Sequence, residues 1–255
     1  MHNPMPFSAH MLMRDQGQSP ATRPVAAHPA AARAATLSST WSGGMPGASS
    51  TKSERPMFVE TAHTMLPIEF QGREVLLEAH AYEDDSVSYQ AMAVVHRKPG
   101  STSTTPIIRM HSGCVTGDIF HSLRCDCYQQ LQKALERIVE SDYGIIIYLP
   151  FHEGRGIGLV KKLQAYAEQD RGLDTVDANL SVGAPVEARD YGLAAKILKD
   201  LGTPQVRLMT NNPLKVEALE KHGIKVVEQV PHKVEASPYN KRYLETKKQR
   251  MAHKL

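Results

Sequence analysis

All three cysteines of the chain fall within fourteen residues, as Cys114, Cys125 and Cys127. Three soft sulfur donors so close in sequence point to a metal rather than to core filling. Zinc is held tetrahedrally; structural sites fill all four positions with protein atoms, whereas catalytic sites leave one for water. With no obvious fourth partner, the three cysteines fit zinc with an exchangeable water, whose pKa zinc lowers to about 7. Two other readings stand beside this one. His111 or His121 as a fourth ligand would make the site structural. A disulfide with a spare thiol also fits an odd count, although Cys125 and Cys127 are too near each other in sequence for good disulfide geometry.

Other segments offer phosphate chemistry. His152-Glu153-Gly154-Arg155-Gly156-Ile157-Gly158 follows an apolar run and opens a helical pattern, so its backbone N–H groups can approach an anion. Its spacing is neither a Walker loop nor a dinucleotide fingerprint; the plain alternative is an ordinary strand-to-helix turn. Thr210-Asn211-Asn212-Pro213-Leu214-Lys215 offers a hydroxyl, amides, helix N–H groups and a lysine, or simply an Asn cap before Pro. Glu187-Ala188-Arg189-Asp190 reads as a solvated first helical turn or as an acid–base group beside a guanidinium. Tyr166 is core, or stacks on a purine.

These segments need elements to position them. Leu66–Gln71, Val75–His80 and Val87–His96 read as an antiparallel meander, with turns at Gly72 and at Glu83-Asp84-Asp85. A strand is expected at 107–110 and a helix after Cys127, where Leu131, Leu135, Ile138 and Val139 recur at helical spacing. Strands follow at 144–149, 205–210 and 224–230. Helices follow at 157–170, 187–201 and from Pro213 to a Gly223 cap, and a solvated charged helix at 239–251. The expected class is α+β: a mixed sheet with an N-terminal antiparallel meander and flanking helices.

The chain has 255 residues, 41% hydrophobic and 22% charged, with a formal net charge of +3. That is globular and too weakly basic to argue for nucleic acid. No apolar run approaches the roughly 18 residues of a membrane helix. Residues 1–55, rich in Pro, Ala and Ser with Asp15 the lone acid before Glu54, read as a disordered tail before a single domain over 56–255. The alternative, an organellar transit peptide, is disfavoured because prolines break the amphipathic spacing. With no secretory signal and thiols kept reduced, a cytoplasmic location is expected.

The motifs occur together in one order. Arg109-Met-His-Ser-Gly-Cys114-x-Thr-Gly-Asp, Ser122-Leu-Arg-Cys125-Asp-Cys127, Glu153-Gly-Arg-Gly-Ile-Gly, Asp174-Thr-Val-Asp-Ala-Asn179, Arg189-Asp190 and Thr210-Asn-Asn-Pro-x-Lys215 resemble GTP cyclohydrolase II over roughly residues 60–253. The resemblance implies a zinc enzyme, a homodimer assisted by Mg²⁺ at the phosphates. It opens the guanine imidazole ring of GTP, releases formate and pyrophosphate, and supplies 2,5-diamino-6-ribosylamino-4(3H)-pyrimidinone 5′-phosphate to riboflavin synthesis. By the same resemblance Cys114, Cys125 and Cys127 hold zinc. Arg189 matches the arginine that attacks the α-phosphorus and expels pyrophosphate, the alternative being that it only stabilises charge on the departing pyrophosphate. Glu187 stands at the general-base position and Tyr166 serves ring opening. Arg109, Met110, His111, Ser112, Gly113, Gln130, Glu153, Gly154, Arg155, Thr175, Thr210 and Lys215 contact GTP.

Three positions depart from the family pattern. Gly113 replaces a usual glutamate, Pro150-Phe151-His152 is one residue longer than the usual segment, and Glu187 replaces an aspartate. They leave open a paralogue serving a secondary or nucleobase-breakdown pathway. A catalytically inactive nucleotide-binding regulator is the reading from another class.

Overall fold

The structure, a computed structural model, describes residues 58–251. The expected tail at 1–55 and the domain boundary after it lie outside these residues. Strands β1 (Phe58–Phe70), β2 (Arg73–Asp84) and β3 (Tyr89–Arg97) form the antiparallel meander, longer than alternation alone predicts. Gln71 and Gly72, both at positive φ, make the two-residue turn between β1 and β2 that matches strand twist in hairpins.

Strands β4 (Ile107–Ser112), β5 (Tyr143–Leu149), β6 (Gln205–Met209) and β7 (Lys225–Val230) are mutually parallel and complete a seven-stranded sheet in the order β1-β2-β3-β5-β4-β6-β7. β5 joins the meander by pairing antiparallel with β3. The sheet is therefore mixed, as the sequence predicts.

Helix α1 (Cys127–Glu140) covers one face of the sheet, where Ala134, Ile138 and Val139 pack on Ile107, Ile146 and Leu77. Helices α4 (Gly192–Asp200) and α5 (Pro213–Lys221) cover the other, with Ala194, Ile197, Leu198 and Leu219 against Ile108, Met110, Ile145, Ile147 and Leu208. Neighbouring strand residues thus serve opposite faces, the period-two rule at work. Each fully buried Leu or Ile contributes about 1.5–3 kcal/mol.

The connection leaving β4 runs through α1 to β5 on one side; that leaving β6 runs through α5 to β7 on the other. In open parallel sheets such a divergence opens a crevice beyond the strand carboxyl ends. Helices α2 (Gly158–Asp170), α3 (Thr175–Ser181) and α6 (Lys241–Arg250) complete the fold.

Three expectations need correction. The helix predicted from Glu187 begins only at Gly192. Glu187 accepts from the Arg189 N–H at 3.0 Å, Asp190 from the Gly192 N–H at 2.8 Å, and the Ala188 N–H donates to the Arg155 carbonyl at 3.1 Å. Acidic side chains that take nearby backbone donors compete with helix formation. Residues 175–181 form a helix where none was predicted, capped by Asp174, which accepts from the Val176 and Asp177 N–H groups. The C-terminal helix is not solvated throughout, since Thr246 and Lys247 are buried.

Candidate active site

The crevice beyond β4 and β6 holds two adjoining cavities, of about 570 and 630 Å³ including their open mouths, in the usual range for small-molecule sites. The first is lined by the cysteines, Lys162, Tyr166 and Thr175. The second is lined by Arg109, Gln130, Thr210 and Lys215. Ser112, Cys127, Arg155, Arg189 and Tyr243 line both.

Cys114 follows β4, and Cys125 and Cys127 stand at the start of α1. Their sulfurs lie within 4.8 Å of one another, with Cys114 and Cys125 3.7 Å apart. A tetrahedral ion with metal–sulfur bonds near 2.3 Å requires sulfur separations of about 3.8 Å. The triad therefore fits a metal as it stands. Among the described residues no histidine joins it. The His111 Nε2 lies 3.0 Å from Asp118, and His121 stacks on Tyr128. No disulfide forms; all three cysteines are free. Gly117 leaves room for the sulfurs: a Cβ there would lie 3.0 Å from both Cys114 and Cys125 Sγ.

Hydrogen bonds from Cys125 and Cys127, reinforced by Lys162, hold the Cys114 thiol far below its ordinary range. The Cys114 bond and burial push Cys125 up to about 11. Metal binding must then release protons.

Lys162 was not foreseen as a site residue. Its Nζ lies 3.0 Å from Cys114 Sγ and 2.6 Å from Glu153 Oε1. Burial opposes its charge, but Tyr166, Cys114 and Glu153 outweigh that and raise its pKa. Glu153 is fully engaged, because it also accepts from the Val115 N–H at 2.6 Å and the Gly154 N–H at 3.0 Å. It braces the cysteine loop. The signal available in sequence was the i, i+4 spacing of Lys162 and Tyr166, which puts both on one helix face.

In the connector from β5 to α2, Gly154 and Arg155 adopt left-handed φ of 61° and 67°. That backbone is costly for arginine. Arg155 Nη2 and Arg109 Nε are buried without hydrogen-bond partners, and unsatisfied guanidinium nitrogens in a cleft are donors set for an anion. Burial lowers Arg109 to about 10, and burial with Arg109 and Arg189 nearby depresses Lys215 strongly. Lys215 Nζ donates to the Met110 carbonyl at 2.7 Å.

Asn212 is the helix cap, accepting from the Leu214 N–H at 3.1 Å, so the plain reading of that junction holds while Thr210 and Lys215 still face the cavity. Arg189 pairs with Glu187 through two hydrogen bonds, Nε to Oε1 at 2.7 Å and Nη2 to Oε2. Burial would raise Glu187, but Arg189 outweighs it and holds the carboxylate low. The same pair overcomes burial to raise Arg189.

Of the residues expected to contact a ligand, Met110 lines neither cavity. Its side chain is fully buried in the core, on the strand face opposite Arg109 and His111. Glu187 lines neither and reaches the cleft through Arg189. The others lie at the cavities. Besides Lys162, sequence reasoning missed Tyr243 and Lys247 of α6.

The GTP cyclohydrolase II family profile matches residues 60–231. The chain is 50% identical over 177 residues to the GTP cyclohydrolase-2 of Streptomyces coelicolor, covering 69% of this chain and 79% of that one. It is 53% identical over 147 residues to the riboflavin biosynthesis protein RibBA of Aquifex aeolicus, covering 58% of this chain and 36% of the relative. With the Synechocystis RibBA it shares 45% over 188 residues, 73% of this chain and 34% of that one. The chain thus spans about a third of the length of these RibBA relatives. The profile match over most of the described residues, with the half-identical Streptomyces coelicolor relative, shows that this chain, with its clustered cysteines beside a cation-lined cavity, belongs to the GTP cyclohydrolase II family.

Proposed function

We propose that this protein opens the imidazole ring of the guanine in GTP, releasing formate and pyrophosphate and leaving the diaminopyrimidine ribosyl phosphate used for riboflavin. One observation carries the reading: the sulfur-lined and cation-lined cavities share walls. A purine at the sulfurs and a phosphate chain at the cations therefore belong to one ligand. Zinc held by Cys114, Cys125 and Cys127 would supply a Lewis acid and a water acidified to a pKa of about 7.

The chain's own residues do the rest. Arg109, Arg155 and Lys215 bind the triphosphate, and Mg²⁺, if it accompanies the nucleotide, would offset part of its charge. Gln130, Thr210, Thr175, His111, Ser112, Gly113 and Gly154 shape the cleft around it. Tyr166 faces the purine end. Arg189 stabilises the charge of departing pyrophosphate. Its pairing with Glu187 favours this role over nucleophilic attack, because the guanidinium is held protonated. Glu187 orients Arg189, and Glu153 with Lys162 holds the cysteine loop.

Among the described residues no helix is long and apolar enough to cross a membrane. The cytoplasm is the proposed location and a homodimer the proposed state.

Purified protein incubated with GTP and Mg²⁺ should release formate and pyrophosphate in equal amounts, with diaminopyrimidine absorbance. Rescue of a riboflavin auxotroph separates this enzyme from a paralogue of another pathway. No turnover of GTP would leave the regulator reading instead.

A further inference from the structure

The family profile ends at residue 231, yet α6, ten residues beyond it, reaches the cleft. We infer that α6 is part of the nucleotide site, with Lys247 binding the phosphate chain and Tyr243 packing against the ligand where its two ends meet. This rests on the GTP reading above.

Tyr243 lines both cavities, and so stands where a ligand spanning them must pass. Lys247 lines the cation cavity and is only 9% exposed. Its Nζ lies 3.2 Å from Asp126 Oδ1 and 4.2 Å from the Tyr243 ring centre. Asp126 is the single carboxylate lining that cavity, against Arg109, Arg155, Arg189, Lys215 and Lys247. It also accepts from Gln130. With Arg189 paired to Glu187 and the charge of Lys215 opposed by burial, Arg109, Arg155 and Lys247 face that one carboxylate, which leaves the cavity net positive. A polyanion resolves that excess, and Lys247 lies in the same wall as the cations that would meet it.

The outer face of α6 is fastened by exposed contacts. Arg250 pairs with Asp174 at 2.5 Å and Asp177 at 3.0 Å, and Arg242 donates to the Gly172 carbonyl at 2.7 Å. Exposed pairs of this kind are weak. The buried inner face, where Lys247 meets Asp126, is the stronger hold, and a ligand that engages Lys247 and Tyr243 there adds to it.

The test measures the affinity of a non-hydrolysable GTP analogue with Mg²⁺ by calorimetry, and hydrogen exchange of the α6 amides with and without it. Metal content and thermal midpoint establish that each variant is folded. Lys247→Ala should bind at least tenfold more weakly, Lys247→Arg within about threefold of wild type, and Tyr243→Ala at least fivefold more weakly. The analogue should slow exchange in α6. Arg250→Ala, whose side chain lines neither cavity, should speed that exchange and raise the dissociation rate with metal content unchanged. Wild-type protein that binds the analogue while Lys247→Ala binds equally well, with α6 exchange unaltered, overturns this inference alone. Wild-type protein that does not bind it overturns the nucleotide reading as well.

Discussion

Gly113 and Pro150 are packed so closely that a Cβ on Gly113 would lie 2.9 Å from the Pro150 Cα. It would also lie 3.1 Å from the Leu149 carbonyl oxygen, to which the Gly113 N–H donates at 2.9 Å. Gly113 and the Pro150-Phe151-His152 segment, both expected from the sequence to depart from the family pattern, are thus one packing unit. Gly113→Ala should cost about 1–3 kcal/mol in urea unfolding, the usual range for overpacking against backbone. Gly113→Glu should cost more and gain no activity. An unchanged midpoint in Gly113→Ala would show that the two segments are not coupled.

Lys162 links Cys114 to Glu153, so Lys162→Met leaves a buried carboxylate and a thiolate without their cation. Breaking such a pair costs about 3 kcal/mol or more. In cobalt-substituted protein the thiolate-to-metal absorption should move to lower energy, because Cys114 becomes a more electron-rich donor. Lys162→Arg should restore part of the shift. A spectrum identical to wild type would limit Lys162 to a packing role.

Arg155 is held at a φ of 67°, a region that costs a non-glycine residue about 1–2 kcal/mol. Arg155→Gly should therefore keep or raise stability by about 1 kcal/mol while weakening GTP binding at least tenfold. Unfolding and binding measured on the same preparation check both halves. A large stability loss would mean that the guanidinium holds the fold rather than the ligand.

His232 is fully buried, and its Nε2 donates to the Gln130 carbonyl at 2.9 Å. Burial, then the charge of Arg109, lowers its pKa to about 3; Lys133 and Arg137 act in the same direction and only the Gln130 bond opposes. An unfolded histidine titrates near 6.5. Between pH 6.5 and 3 the unfolded chain takes up a proton that the fold refuses, so stability falls as pH falls through that window. From pH 7 to 5 wild type should lose about 2 kcal/mol more than His232→Gln. Parallel pH profiles would remove His232 as the cause.

Much of this was legible in the sequence because it rests on local rules. Ile145, Ile147 and Leu149 alternate with Ile146, and Asn212-Pro213 announces a helix start. The cysteine triad was legible from spacing. Glu187–Tyr191 was not, because its backbone donors go to neighbouring carboxylates and to Arg155, a pairing that only tertiary contact creates. Lys162, Tyr243 and Lys247 were missed for a related reason. On a helix a buried lysine reads like any exposed one until its partner is placed, and Lys247 meets Asp126 across 121 positions of sequence.

The most direct measurement is formate and pyrophosphate release from GTP by wild type and Cys125→Ser, with zinc determined in both. Wild type should hold one zinc per chain and release the two products together. Cys125→Ser should lose zinc and formate release while keeping some pyrophosphate release, because the cations of the second cavity remain. Formate released by Cys125→Ser at the wild-type rate would contradict the assignment of ring opening to the cysteine-held metal.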